Sequence, residues 1–129
     1  VLLPPAVERF FTASRLTDVD AWADAFAPDA AFHHPVGAPP VRGRAAVRKL
    51  IADAVAGFGR FDGLTPVEAH QTGDHVAVVW RGNGASPTGA AVSWSGVTTF
   101  SLGPGGLVRE AVVYGDLERV GRQLAGEDA

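Results

Sequence analysis

The chain has 129 residues, 47% of them hydrophobic and 19% charged, with a formal net charge of −3; this fits one globular domain over residues 1–129 and excludes a disordered chain. The mild negative charge removes the electrostatic case for nucleic acid or an anionic membrane, and the absence of Cys excludes disulfides and thiolate metal sites. No apolar stretch is long enough for a membrane span and no charged segment precedes a signal-like run, so a cytoplasmic protein is expected.

Pro4 and Pro5 suit the first turn of a helix, and Val7, Phe10 and Phe11 give it an apolar stripe. Thr17 with Asp20 reads as a capping-box variant, opening a second helix with Val19, Trp22, Ala23 and Phe26 at i, i+3, i+4 and i+7. Residues 30–34 form a short strand. Gly43 opens a third helix, whose face carries Val47, Leu50, Ile51, Ala54, Val55 and Phe58.

Beyond "GRFDG" the period changes to two. Residues 66–71 predict a weak strand, Thr72-Gly73 a turn, and 75–82 a strand with Val76, Val78 and Trp80 on one face. In "VSWSGVTTFSL", Val92, Trp94, Gly96, Thr98, Phe100 and Leu102 alternate with Ser93, Ser95, Val97, Thr99 and Ser101. One face is apolar and the other mostly hydroxyl, so this strand covers a core on one side only. A Gly-Pro-Gly-Gly turn at 103–106 leads to a last strand, and Asp116 caps a helix carrying Leu117, Val120 and Leu124. The order ααβαββββα predicts an α+β fold: one strongly bent antiparallel sheet with helices on its concave face.

Few motifs carry chemistry. "GNGASPTG" lacks the following helix and the Lys-Ser/Thr pair of a phosphate loop, and "SWSG" lies within a strand rather than at a nucleophile elbow. A turn at Thr72-Gly73 would set His70 opposite His75, but no third metal ligand is apparent. Asp18, Asp20 and Asp24 sit around a helix start, where negative charge complements the dipole. No metal or cofactor is expected. Trp80 and Trp94 face inward; with the inward Gly82 and Gly96 they read either as plain core or as the wall of a space for a flat hydrophobic ligand.

The stretch "AFHHPVGAPP" holds two of the four histidines. If Ala30 and Phe32 face the core, alternation turns His34 inward and leaves His33 as a surface residue without special role. Burial lowers the pKa of an imidazole, so His34 would be neutral near neutrality and able to accept a proton. The alternative is a half-buried histidine bonded to a backbone carbonyl.

"VERFF…DVDAWADAFAPDAAFHHPVGAPPVRGR" and "GVTTFSL…GGLVREAVVY" resemble the nuclear transport factor 2-like superfamily, which includes ketosteroid isomerases, SnoaL-like polyketide cyclases and limonene epoxide hydrolases. The resemblance covers nearly the whole chain and implies a cone-shaped sheet wrapped on the N-terminal helices around a deep apolar cavity. It also implies where the isomerase groups would stand. The hydrogen-bonding tyrosine matches Phe10, the aspartate base matches His34, and the protonated aspartic acid matches Thr98. Phe10 donates no hydrogen bond and Thr98 is a weaker donor than a carboxylic acid, so efficient steroid isomerisation is not expected.

The expectation is a cofactor-free isomerase or cyclase for a hydrophobic carbonyl compound, with His34 as base and Thr98 orienting a substrate oxygen. Phe10, Trp22, Phe26, Leu50, Val78, Trp80, Trp94 and Phe100 would form the substrate-binding wall. A non-catalytic binding protein of the same fold is the first alternative. An epoxide hydrolase is the second, although that branch uses an Asp-Arg-Asp set and no Arg falls on a cavity face. Arg44 is expected to tether the third helix, and Arg81 and Arg109 to point away. Homodimerisation is expected through the outer sheet face of Ser93, Ser95, Val97 and Thr99.

Overall fold

The structure, a computed structural model, describes residues 1–127. Helix α1 (Pro5–Leu16) starts at the prolines as expected and ends at Thr17, which adopts a left-handed conformation. The cap of α2 (Val19–Asp24) is therefore Asp18, whose carboxylate accepts the Ala21 N–H at 3.0 Å. That helix is shorter than its apolar spacing predicts, because Phe26 already begins strand β1 (Phe26–His33). Tertiary contacts decide this. The Val108 N–H bonds to the Ala25 carbonyl, and the Arg44 guanidinium donates to the Phe26 carbonyl at 2.6 and 3.0 Å. Arg44 thus tethers the third helix, as expected.

A two-residue strand, β2 (Val41–Arg42), was not foreseen; α3 (Arg44–Ala56), β3 (Arg60–Thr72), β4 (His75–Ala85), β5 (Ala91–Leu102), β6 (Val108–Tyr114) and α4 (Leu117–Leu124) follow. The six-stranded sheet has the order β2-β1-β6-β5-β4-β3. Strands β3 to β6 form the expected antiparallel meander, but β1 runs parallel to β6. The sheet is therefore mixed. This pairing joins segments about 80 residues apart, and local alternation carries no sign of it.

Two register breaks, at Phe61/Gly63 and Pro66/Glu68, bend β3 over the helices. Gly63 has φ 91°, and a Cβ there would lie 2.5 Å from Arg15 Cα. This close approach lets Ser14 and Arg15 grip the strand. Ser14 Oγ accepts the Leu64 N–H at 3.0 Å, and Arg15 Nη1 donates to the Leu64 carbonyl at 2.8 Å. Phe10, Phe11, Phe26 and Phe100 are each at most 1% exposed and fill the closed end of the cone. Phe10 meets Phe11 and Phe100 edge-on at 5.0 and 5.1 Å, a favoured geometry for aromatic pairs.

Two sequence expectations require correction here. The β3–β4 turn is Gly73-Asp74, so Thr72 pairs with His75 while His70 pairs with Ala77. His70 instead contacts Glu68 at 2.5 Å and His75 contacts Ser101 at 3.3 Å. The second concerns Gly82 and Gly96, which leave no vacant wall. Trp80 pairs with Gly96 and Trp94 with Gly82, and a Cβ on either glycine would strike the indole of the opposite strand. The space is occupied by the tryptophans themselves. Among the described residues, no helix is long and apolar enough to cross a membrane.

Candidate active-site cavity

A cavity of about 220 Å³ opens between the concave sheet face, α3 and α4. Its lining side chains are aliphatic or aromatic except for His34 and Thr98. His34 follows the last residue of β1 and is half-buried, its ring 5.4 Å from that of Phe32. Burial holds its pKa below the free-imidazole value of 6.5. Among the described residues, no side chain or backbone group hydrogen-bonds to this imidazole, so it is not the carbonyl-tethered histidine that the sequence left open. A neutral imidazole beside an apolar space offers a lone pair with little competing solvation.

His33 takes the other side of the strand, but it is not a bystander. It is half-buried, and its Nε2 lies 2.8 Å from Glu110 Oε2 on neighbouring β6. The parallel β1–β6 pairing, which the sequence did not disclose, creates that contact.

Thr98 is fully buried and its Oγ1 accepts the Trp80 Nε1–H at 2.9 Å. A hydroxyl carries one donor and two acceptor sites, so this bond leaves the Thr98 O–H free to donate. Phe10, Trp22, Leu50, Trp80 and Trp94 also line the cavity. Phe26, Val78 and Phe100 do not: they face inward, yet lie within the closed core, with exposures of 0, 0 and 1%.

Several lining residues lie outside the wall that the sequence predicts. Phe58 and Phe61 flank the "GRFDG" break, and Leu117, Val120 and Leu124 come from α4. The apolar stripe of α4 was visible in the sequence, but where it docks was not. Gln123 supplies the answer: its carboxamide accepts the Ser93 N–H at 3.1 Å and donates to the Ser93 carbonyl at 3.2 Å. Strand β6 pairs with β5 only from Val97 onward, so α4 covers the edge β6 leaves open. No Asp, Glu, Arg or Lys lines the cavity, and no group of three or more His, Asp or Glu able to hold a metal occurs among the described residues.

No curated protein matches the chain in sequence. Solved structures do match in fold. TerC, co-crystallised with polyporic acid, superposes with a TM-score of 0.81 at 19% identity, covering 93% of this chain and 95% of that one. The epoxide hydrolase/cyclase-like enzyme SalBIII, involved in pyran ring formation in salinomycin, gives 0.75 at 25% identity over 88% and 89%. A hypothetical protein from Catenulispora acidiphila with a ketosteroid isomerase-like fold, in complex with trimethylamine, gives 0.77 at 22% identity over 96% and 95%. The expected α+β cone is therefore the observed fold. Sequence adds the narrower statement, since residues 7–111 match the SnoaL-like domain, a span reaching from the first turns of α1 through most of β6. The chain belongs to the SnoaL-like domain family.

Proposed function

We propose that the protein is an isomerase or cyclase for a flat, hydrophobic, carbonyl-containing small molecule, with His34 as the general base. The observation that carries this reading is a neutral, untethered imidazole on the wall of an otherwise apolar cavity. Neighbours of the same fold co-crystallised with polyporic acid, or described as cyclase-like, support a small organic ligand.

The chemistry follows from the groups present. A ligand C–H next to a carbonyl loses its proton to the free imidazole nitrogen, and the C–H electron pair moves to the carbonyl oxygen, giving an enolate and an imidazolium. The Thr98 O–H donates toward that oxygen. Returning the proton to a different carbon isomerises the molecule. Attack of the enolate carbon on a second carbonyl closes a ring, with the imidazolium proton passing to the new alkoxide. Such a base contributes roughly a hundred- to ten-thousand-fold in rate.

The test is α-hydrogen exchange of β-tetralone in heavy water. Wild-type protein should accelerate deuterium uptake at the benzylic carbon, and His34→Ala should lose that acceleration while keeping its fold by circular dichroism. Equal rates in the two proteins would remove His34 from the role of base. A second reading, a ligand-binding protein without chemistry, draws on Phe10, which occupies the cavity wall without a polar atom to offer. Epoxide hydrolysis through an Asp-Arg-Asp set has no support in a lining that holds no Asp and no Arg.

We also propose homodimerisation through the outer sheet face. Val79, Val97 and Tyr114 form one cross-strand row there, with Val79 and Tyr114 36% and 47% exposed. Analytical ultracentrifugation should find a dimer that Tyr114→Glu dissociates; a wild-type monomer would contradict this.

A further inference from the structure

Trp80 and Trp94 each lie over a glycine of the neighbouring strand, yet the two pairs differ. Trp80, over Gly96, is 2% exposed and donates to Thr98 at 2.9 Å. A Cβ on Gly96 would lie 2.6 Å from the Tyr114 carbonyl oxygen as well as against the indole. Backbone hems Gly96 in, and that pair belongs to the core. Trp94 is only half-buried and lines the cavity. The three atoms nearest a Cβ on Gly82 all belong to the Trp94 indole, and no backbone stands among them.

An aromatic ring can cover a glycine on the adjacent strand and stabilise it there. At Gly82 the same contact also fixes where a cavity wall stands. The indole resting on Gly82 has Phe58 at 5.3 Å and Phe61 at 6.2 Å, and both of these rings line the cavity as well. A methyl group on Gly82 would lift the indole off the strand, on the concave side of the sheet, and the cavity would lose room. There is little to lose. Its volume of about 220 Å³ falls below the roughly 300–1,000 Å³ of pockets that hold drug-sized ligands.

We infer that Gly82 is a specificity-determining residue: by letting the Trp94 indole rest on β4, it sets the room for a compact ligand of one or two fused rings and excludes four-ring ketones. This rests on the reading of the cavity as a small-molecule site. His34 and Thr98 act on the carbonyl end of the ligand, while Gly82 and Trp94 decide which carbon skeletons can reach them.

The probes are β-tetralone, with two rings, and androst-4-ene-3,17-dione, with four. Burial of apolar area alone would favour the steroid. Calorimetry should instead show wild-type protein binding β-tetralone at least about ten-fold more tightly, since even one misplaced methylene in an apolar pocket costs about that much. Gly82→Ala should weaken β-tetralone binding about ten-fold. In a Trp94→Leu background the same substitution should change the affinity less than about two-fold, because the ring it displaces is gone. If Gly82→Ala fails to fold, Trp94→Leu alone decides the matter: it should raise the steroid-to-tetralone affinity ratio at least about ten-fold. A wild-type preference for the steroid, equal costs of Gly82→Ala in both backgrounds, or a ratio unmoved by Trp94→Leu would overturn the inference and leave the cavity reading intact. If neither ketone binds wild-type protein, the small-molecule reading falls and the inference with it.

Discussion

The two ends of the cone are built from similar residues for opposite purposes. At the closed end, Phe11, Phe26 and Phe100 are packed with exposures of 1% or less. At the open end, Leu50, Val55, Phe58, Phe61 and Trp94 are equally apolar but only half-buried, because they look across a cavity rather than into a neighbour. Helix α3 shows the contrast within one element. Of its apolar face only Val47 and Ile51 are buried, whereas α1 buries six of its residues. An apolar side chain that stays half-exposed gains less from folding and leaves surface that a ligand can cover. Hydrophobicity alone therefore does not separate core from site; what separates them is whether the facing element closes the gap.

The largest effects should break the closed end. Phe100→Ala should cost about 3–5 kcal/mol of stability, since the rings around it cannot collapse into the space. Leu50→Ala at the open end should cost less than about 2 kcal/mol, because part of its surface is already unpaired. Urea denaturation of the two variants tests this directly. Equal losses would mean that the cavity is closed in solution.

A middle-sized effect should appear where the ends meet, at the Trp80–Thr98 hydrogen bond. Thr98→Val keeps the side-chain shape but strands the buried indole N–H, at about 1–3 kcal/mol. In a double-mutant cycle, Trp80→Phe should cost less in the Thr98→Val background than in the wild type, because the hydrogen bond is already gone. Equal costs of Trp80→Phe in the two backgrounds would show that the bond carries little.

The smallest effect is electrostatic and belongs to His34. Its folded-state pKa lies below the unfolded value of 6.5, so the unfolded chain binds the proton more readily. The associated stability is fully present above 6.5 and is lost as pH falls through the folded pKa. His34→Gln should remove this part of the acid decline. An unchanged decline would mean that other groups account for it.

The outline of the fold was legible in the sequence because it rests on local signals. Period-two alternation located β4 and β5, apolar spacing located α1 and α3, and the Ala30–Phe32–His34 alternation turned the second histidine toward the cavity. The errors came from non-local pairing. Phe26 continues the apolar spacing of a helix, yet its partner across the sheet makes it the first residue of β1, and His33 meets Glu110 only through the parallel β1–β6 contact. Gly82 and Gly96 look like missing wall in one dimension. In three dimensions each receives a tryptophan from the adjacent strand. The contribution of α4 to the cavity was hidden for the same reason, since its position depends on the bond between Gln123 and the free edge of β5.

As proposed, His34 takes a proton from a ligand held in the open end. The most direct measurement is the pH profile of β-tetralone exchange in heavy water, set beside an NMR titration of the His34 imidazole. The His34 signal should titrate below 6.5, wild-type exchange should fall as pH drops through that same point, and His34→Ala should show no such step. A wild-type profile indifferent to the His34 titration, or retained in His34→Ala, would contradict it.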